Sequence, residues 1–557
     1  MVRLTNSQMD GGGRTAAARL RLGVVMVAAG LLLAACNGGE ATDDADEADD
    51  PDVEVEDDDA ADGDGDDGDA AATTGEVPAD LVVDVLNEPD SLDPLYRNTP
   101  ESQVYYRNVY SGLLAWEEDG SLVPDLAVDL PEVSDDRLTY TVELRDDVTF
   151  HDGTPMTAED VVFTFEQVAD PENGSVWASG MIFLDSVEQM DDTTVEFQLT
   201  QPFTYFDTRL AMVPIVSADE GYAPNDTYGT SANGTGPYQL AAFNQGEAIE
   251  LERFEDYHGE LLPMETITLQ LVPENASRIS RLTNGDSHIV PNLPADQIAL
   301  VEDRGHNAAT VEDNINRLFF YTSHADDRPT SDAAFRLAIA HAINREQVID
   351  QVFDGAGEPN STYLAPGTQF RDDELGTSFG ATPDLDQAGA YLDEAGGAPD
   401  RPLEMVVTNQ PDLIDAATVL QANLAELGLE ARIEVAEVAA FFPRLVEGDY
   451  DLLLFASPVS SAVGFAPDYP YGGLHSTSPS NFNSFEDPQM DELLEEAITV
   501  PLEEAEEAWH AVQEHDLETQ GQIQIIGTQY SEAWHADLEG YEPSSLLWLN
   551  NLDLLAE

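Results

Sequence analysis

Alternating apolar and polar residues predict β-strands at several points along the chain. The run 138–144 carries Leu, Tyr, Val and Leu at every second position, with polar residues between them. This period-2 pattern is typical of a strand that has one face in a core and the other in water. The runs 81–86 and 194–199 also have the character of strands.

Helical spacing occurs in two further regions. Thr157, followed by Asp160 three residues later, fits a capping box that opens an amphipathic helix after a turn at Asp152-Gly153. The run 334–343 repeats apolar residues at the three- and four-residue spacing of one helical face. Both regions are therefore predicted to be helices with one buried side.

Helical and strand-like runs alternate towards the C-terminus. A helix over 415–427, ended by Gly428, precedes a strand over 431–435, and a second helix ends at Gly448 before a strand over 450–455. This succession is βαβ-like and predicts the α/β class. The folded region is also too long for one hydrophobic core, so at least two lobes are expected.

The first residues have the features of a secretion signal. Arginines at positions 3, 14, 19 and 21 precede an apolar run over 23–35, which is too short to cross a bilayer. The run ends in Leu33-Ala34-Ala35-Cys36, which resembles a lipobox. We predict a signal peptide over 1–35 and a lipid on Cys36 that anchors the protein to the extracellular or periplasmic face of the cell membrane. The alternative is an ordinary secretion signal with an incidental cysteine.

Residues 36–80 are expected to form a disordered acidic tether behind that cysteine. Between Asn37 and Asp80 there are 20 acidic residues and no basic one. Such a segment buries too little apolar surface to offset its ordering entropy, and its charges repel one another. A solvated spacer between the membrane and the folded region is the expected role.

The remaining chain is strongly acidic as well. The protein has 111 acidic residues against 21 basic ones, and every basic residue is arginine. Residues 81–557 alone carry about −73. Repulsion of this size is destabilising unless salt screens it, so we interpret the surface as adapted to high salt. GC-rich coding would explain the missing lysine but not the acidic excess, and either interpretation excludes nucleic-acid binding.

Composition also argues against most enzyme chemistry. Without lysine there is no P-loop lysine and no pyridoxal Schiff base, and Cys36 is the only cysteine. The nearest metal-like pattern, His510 with Glu514-His515, is one residue too long for an inverted zincin motif and is interpreted as helix surface. We expect no enzyme activity, no cofactor and no metal site.

Several motifs lie in order along the chain. They include Val123-Pro124-Asp125-Leu126-Ala127, Phe150-His151-Asp152-Gly153-Thr154-Pro155, Gly234-Thr235-Gly236-Pro237-Tyr238, Ala342-Ile343-Asn344-Arg345-Glu346, Tyr391-Leu392-Asp393-Glu394-Ala395-Gly396 and Asp487-Pro488-Gln489-Met490-Asp491. Together they resemble the family 5 extracellular solute-binding proteins, the oligopeptide-, dipeptide- and nickel-type receptors of ABC importers. The resemblance covers nearly all of the chain from Leu81 onward.

The resemblance implies a two-lobed α/β fold of the type II periplasmic-binding-protein kind, in its large three-subdomain form, with a cleft that closes by a hinge. The first lobe would comprise residues 81–114, 206–312 and 526–557, with an inserted subdomain over 115–205. The second lobe would comprise residues 313–525. The protein would act as a monomer that delivers its ligand to ABC permease and ATPase subunits, and only its lipid would touch the membrane.

The resemblance to peptide-binding members also suggests ligand residues. Asn98 and Thr99 match a segment that borders the ligand, and Asn292 falls in another such segment. Trp177 matches an aromatic that packs on the ligand, so we expect its ring on a lobe surface that faces a varied guest.

One departure from the family concerns charge. Peptide-specific members carry an acid after the strand that corresponds to 450–455, and this acid pairs with the free ammonium end of the peptide. Here the segment is Ser457-Pro458-Val459-Ser460, in which every side chain is neutral. Either Asp468 takes over, or the ligand is no ordinary free-amine peptide. We therefore count Ser457, Ser460 and Asp468 as candidate contacts.

Other functions stay open at this point. Within the receptor class, the ligand could be an oligosaccharide, a nickel chelate or an opine instead of a peptide. A secreted hydrolase would need a nucleophile or a carboxylate pair in a cleft, and a chemoreceptor or adhesin partner would have no transport role. Ligand capture for import is the leading hypothesis.

Overall fold

The computed structural model describes residues 78–89, 91–96, 100–117, 121–218, 229–294, 297–325, 327–460, 468–478, 480–538, 541 and 543. The predicted signal peptide, Cys36 and almost all of the predicted acidic tether lie outside these residues. Asp80, predicted as the last residue of the tether, is the first residue of a strand. Among the described residues, no helix combines the length and the apolar character needed to cross a membrane.

Strands and helices alternate through most of the described chain. The strands are β1 (Asp80–Val85), β2 (Leu114–Trp116), β3 (Leu122–Pro124), β4 (Glu132–Val133), β5 (Thr139–Glu143), β6 (Leu184–Asp191), β7 (Thr194–Leu199), β8 (Tyr238–Asn244), β9 (Ala248–Arg253), β10 (Thr266–Leu271), β11 (Ile289–Leu293), β12 (Asn307–Thr322), β13 (Glu358–Pro359), β14 (Leu403–Thr408), β15 (Ala431–Ala436), β16 (Leu452–Ser460) and β17 (Gln522–Trp534).

The helices are α1 (Pro100–Val109), α2 (Ala158–Ala169), α3 (Phe206–Met212), α4 (Asn275–Asn284), α5 (Ile298–Asp303), α6 (Ala333–Ala342), α7 (Arg345–Val352), α8 (Asp373–Gly376), α9 (Leu385–Glu394), α10 (Pro411–Glu426), α11 (Val438–Glu447), α12 (Asp468–Leu474), α13 (Pro488–Thr499) and α14 (Ala505–Thr519). This mixture confirms the predicted α/β class.

One large mixed sheet runs through the molecule. Its 11 strands follow the order β15-β14-β16-β12-β17-β11-β1-β10-β9-β8, and β13 pairs with β17 beside this path. A separate four-stranded sheet, β4-β5-β7-β6, lies wholly within the segment predicted as the inserted subdomain. The boundaries of the two lobes themselves stay a prediction.

The predicted local elements lie close to the observed ones. The strand over 194–199 has the predicted bounds, and the capping box at the start of α2 is present, with the Asp160 carboxylate accepting from the Thr157 backbone N–H at 2.8 Å. The turn before it holds Gly153 at φ +84°, a conformation that favours glycine. Helix α10 starts four residues earlier than predicted, because Pro411 occupies its first turn, where proline is well tolerated.

Two hydrophobic cores cover opposite faces of the C-terminal half of the large sheet. Helices α6 and α10 bury their apolar sides against one face, where Leu318 and Phe320 of β12 point. Phe319 and Tyr321 point to the other face and pack with Phe441 of α11. The alternation along β12 therefore fixes which of its residues belong to which layer.

Candidate ligand-binding site

Two long antiparallel strands cross the middle of the large sheet. β12 and β17 pair over almost their whole lengths, but the register shifts between Val311 and Ile315, and again between Leu318 and Phe319. Bulges of this kind bend a strand and re-aim its side chains. Both shifts lie near the points where the chain was predicted to cross between the lobes.

Three predicted ligand residues lie on strands that flank this pair. On one side, β16 places Ser460 opposite Asn314 of β12, with Ser457 three residues earlier. On the other side, Asn292 lies on β11 between Val290 and Leu293, where the pairing of β11 with β17 shifts register. The backbone therefore brings Asn292, Ser457 and Ser460 to the central strands of one sheet.

The indole of Trp177 is buried. Its side chain is 6% exposed, and Nε1 donates to the carbonyl oxygen of Pro94 at 2.9 Å. The ring also meets Tyr106 edge-on, with 6.2 Å between ring centroids. The expectation that this ring lies on an open lobe surface is therefore wrong, because the side chain is part of a hydrophobic core. A contact between this ring and a guest stays a prediction.

The other candidates are only partly within the described residues. Asn98 and Thr99 lie outside them, but they follow Tyr96, and the preceding Leu95 carbonyl accepts from the backbone N–H of Val176 at 3.1 Å. The segment before Asn98 is thus attached to the one before Trp177. Asp468 is the first residue of α12, of which the backbone is described.

Helix α12 contacts both the predicted inserted subdomain and the segment around Tyr363. The ring of Tyr471 meets Phe183 of the predicted inserted subdomain at 5.8 Å between centroids. Gly473 packs directly on Tyr363, because a Cβ at position 473 would lie 2.1 Å from the Tyr363 hydroxyl oxygen. The Tyr363 ring in turn covers the guanidinium of Arg317, whose carbon is 3.8 Å from the ring centroid.

Residues of the predicted inserted subdomain also form hydrogen bonds with the end of α13. Arg137 donates through Nη1 to the Thr499 carbonyl oxygen at 2.7 Å and through Nη2 to the Thr204 hydroxyl at 2.6 Å. The backbone N–H of Thr204 donates to the Ile498 carbonyl oxygen at 2.9 Å. Residues of the predicted inserted subdomain and of the predicted second lobe are therefore in direct contact.

Arg317 and Tyr363 were missed by the interpretation of the sequence. Arg317 is 2% exposed and lies opposite Ser457 in the register of β12 and β16. One signal was available, since a single arginine interrupts an otherwise apolar end of β12. Tyr363 follows β13 in a segment with no periodic pattern, so its position could not be deduced.

The metal-like histidine pattern separates in the structure. The His510 ring lies 3.1 Å from Asp372, whereas His515 lies 3.0 Å from Asp487. His515 is buried at 8% exposure, so the interpretation of the whole pattern as helix surface is wrong for this residue. Within the described ranges, no group of three or more His, Cys, Asp or Glu side chains could hold a metal ion.

Comparison with solved structures defines the class of protein. The ABC transporter substrate-binding protein CtaP of Listeria monocytogenes superposes with a TM-score of 0.73 and 25% sequence identity, over 84% of this chain and 97% of that one. The fold is therefore that of the type II periplasmic-binding proteins of the oligopeptide and nickel type.

Sequence comparison then gives the family. Residues 121–481 match the model described as bacterial extracellular solute-binding proteins, family 5, and the chain belongs to this family. The glutathione-binding protein GsiB of Pectobacterium atrosepticum is 28% identical over 75% of this chain and 82% of its own. The probable D,D-dipeptide-binding periplasmic protein DdpA of Escherichia coli is 25% identical over 84% of this chain and 92% of its own.

Family membership confirms the recognised resemblance, the fold class and the prediction that the chain is a binding protein rather than an enzyme. Proteins of this family are extracellular receptors that bring solutes to the permease and ATPase of an ABC importer.

Proposed function

We propose that this receptor captures a peptide between two lobes and delivers it to an ABC importer, while a lipid on Cys36 holds it at the outer face of the cell membrane. The observation that carries the proposal is that the predicted lobe crossings and three candidate ligand residues lie on or beside β12 and β17. These strands link the predicted lobes, contain the register shifts, and have Asn292 on one flank and Ser457 and Ser460 on the other. The protein acts as a monomer.

The contacts of the inserted subdomain support a closing motion. Phe183 with Tyr471 and Arg137 with Thr499 join segments that belong to different predicted lobes. If the lobes separate to admit a guest, these contacts break and re-form on closure. A guest that touches both lobes would then favour the closed state through its differential affinity.

The choice of a peptide rests on the relatives and on the chemistry of the central strands. One relative is named for glutathione, which is a tripeptide, and another for D,D-dipeptides. Hydroxyl and amide side chains at positions 292, 457 and 460 suit the peptide groups of a varied guest. Identification of a bound oligosaccharide, nickel chelate or opine would show that the ligand is not a peptide, but the receptor class would be unchanged.

The decisive experiment is mass spectrometry of the small molecules released from protein purified out of its own host. A peptide is expected. Calorimetry with pooled tripeptides then measures affinity, and comparison of free-amine with N-acetylated pools tests Asp468. Asp468→Asn should weaken binding of the free-amine pool and leave the N-acetylated pool unchanged. Recovery of a different solute would overturn the peptide assignment, and hydrolysis of the pooled peptides would overturn the receptor function.

A further inference from the structure

A buried arginine lies where this chain lacks the acid of peptide-specific relatives. Arg317 of β12 has Ser457 directly opposite on β16 and Gly527 opposite on β17. Residues directly opposite in an antiparallel pair are nearest neighbours on the sheet. The register therefore brings a positively charged residue next to the neutral segment 457–460.

The hydrogen bonding of Arg317 is incomplete. Nη1 donates to the Tyr363 carbonyl oxygen and to Gln524 Oε1, both at 3.3 Å, which is beyond the usual range for a charged donor. Nε is buried without a partner. Within the described part of the chain, Nη2 makes no hydrogen bond and the guanidinium forms no ion pair.

Two other buried arginines of the same half use every side-chain nitrogen, although Arg371 leaves Nε and Nη2 buried without a hydrogen-bond partner. Arg336 donates to the carbonyl oxygens of Thr330, Ser331, Thr519 and Gln520, at distances from 2.6 to 3.0 Å. Arg345 uses all three of its nitrogens for carbonyl oxygens. These two side chains bond to backbone carbonyl oxygens of helices, of loops and of β17. Arg317, by contrast, leaves Nε and Nη2 without a hydrogen bond among the described residues, although its burial lies between those of Arg336 and Arg345.

Two residues linked to Tyr363, Asp516 directly and Gln522 through Gly473, carry further unpartnered polar atoms. Asp516 accepts from the Tyr363 backbone N–H through Oδ2 at 2.6 Å, but its Oδ1 is buried without a partner. Gln522 Oε1 is also buried without a hydrogen-bond partner. An unsatisfied buried polar atom is destabilising, so a ligand that bonds to several such atoms would be favoured here. Burial raises the pKa of Asp516 to about 7, so this carboxyl is partly neutral and can act as a donor near neutral pH.

The cluster lies next to the contact between the predicted lobes. Tyr363 covers Arg317 and touches Gly473 of α12, and Tyr471 of the same helix meets Phe183 of the inserted subdomain. An opening movement that carries Phe183 away from α12 would uncover this side of the cluster. Contacts through Tyr363 and α12 thus link Arg317 to the place where the predicted lobes meet.

We propose that the Arg317 guanidinium binds a carboxylate of the captured solute, so that the receptor selects anionic ligands; this inference rests on the proposed receptor function. A guanidinium presents parallel N–H groups that match a carboxylate in two hydrogen bonds. The guest would fill the free donors on Nε and Nη2, and the Asp516 carboxyl and Gln522 amide would complete its surroundings. The Arg317 guanidinium would thus provide a buried positive charge for an anionic ligand in a protein that has 111 acidic residues.

The test uses full-length protein and two pools of tripeptides without Asp or Glu, one with free C-terminal carboxylates and one with C-terminal amides, measured by calorimetry in 2 M NaCl. The wild type is expected to bind the free-carboxylate pool more than about tenfold tighter than the amide pool. Arg317→Gln should abolish this preference. Arg317→Lys should restore part of it, because it keeps the charge but not the planar geometry.

Arg432→Gln is the matched control, because it removes one charge from an exposed position on β15 of the same half. It should retain wild-type affinity and preference. Circular dichroism checks that each variant is folded, and the comparison of pools on the wild type decides the matter if Arg317→Gln does not fold. Equal binding of the two pools by the wild type, or full preference in Arg317→Gln, would overturn the inference.

Ligand identification separates the two proposals. A third pool of non-peptide carboxylates, such as sugar acids, covers the case in which the wild type binds neither peptide pool. Binding of that pool with dependence on Arg317 would refute the peptide assignment and support the arginine. Release of an uncharged solute from host-purified protein would refute the arginine and leave the receptor function standing. Absence of any bound or released solute would overturn both.

Discussion

The indole Nε1 of Trp509 donates a 2.8 Å hydrogen bond to the hydroxyl of Tyr205, across 304 positions of sequence. Trp509 belongs to α14 and is 1% exposed, and Tyr205 ends the segment predicted as the inserted subdomain. Both groups are buried, so each would be left unsatisfied if the other were removed. The bond therefore reports on whether these two parts of the molecule separate during ligand capture.

We predict that Trp509→Phe and Tyr205→Phe each weaken ligand binding, because the bond exists only when the two parts are together. Loss of one buried partner costs about 1–3 kcal/mol, which corresponds to roughly 5- to 150-fold in affinity if the bond breaks on opening. The double variant should cost less than the sum of the two. Calorimetry on the three variants measures this cycle. Reduced stability with unchanged affinity would mean that the bond persists in the open form.

The large-scale organisation could be predicted because it depends on many repeated signals. Alternation identified the strand over 194–199, and a short capping motif identified the start of α2. The interior of the site was harder. Arg317 becomes interpretable only through its register with Ser457 and the covering ring of Tyr363, two contacts that join distant parts of the sequence. Such pairings are set by the sheet order, which local periodicity does not contain.

Trp177 illustrates the same limit. Its large aromatic side chain was consistent with a ligand contact, but burial and the bond to the Pro94 carbonyl oxygen depend on a loop 83 positions away. We predict that Trp177→Ala lowers the free energy of unfolding by about 3–5 kcal/mol, as expected for a buried aromatic. Urea unfolding measures the loss. Trp177→Phe keeps a ring and is the variant on which ligand affinity should be compared. A stable alanine variant would contradict the observed packing.

Stability should rise steeply with salt. About −73 charges on residues 81–557 repel one another, and the Debye length falls from about 10 Å at 0.1 M to about 3 Å at 1 M. We expect a higher melting temperature in 2 M than in 0.1 M NaCl. Sucrose at equal osmolality is the control, because it strengthens burial without screening charge. A melting temperature that sucrose raises as much as NaCl would argue against the high-salt interpretation.

Membrane attachment should depend on Cys36 alone. Replacement by serine removes the thiol that would carry the lipid, so Cys36→Ser should move the protein from the membrane to the soluble fraction or the medium. Deletion of residues 37–80 should leave the anchor in place and change ligand affinity by less than about twofold, because a solvated linker contributes reach and little else. Immunoblots of cell fractions and calorimetry measure the two effects. Continued membrane retention of Cys36→Ser would contradict the lipoprotein prediction.

The buried carboxyl of Glu532 should make stability depend on pH. Glu532 is 6% exposed, accepts a hydrogen bond from the Tyr541 hydroxyl, and has its pKa raised to about 7 by burial. The folded pKa exceeds the unfolded value of 4.5, so the neutral carboxyl stabilises the folded protein. This contribution to the free energy of unfolding is complete below the unfolded pKa and is lost as the pH rises towards 7, by up to about 1.4 kcal/mol per pH unit. Glu532→Gln keeps an acceptor for Tyr541 and cannot ionise. Chemical unfolding in 2 M NaCl measures the free energy of unfolding at pH 4.5 and at pH 7.5. Between these pH values the wild type should lose about 2–3 kcal/mol more than this variant. The other titrating groups, Asp516 included, are present in both proteins, so their contributions cancel. Parallel pH profiles for the two proteins would show that Glu532 ionises normally in the folded state.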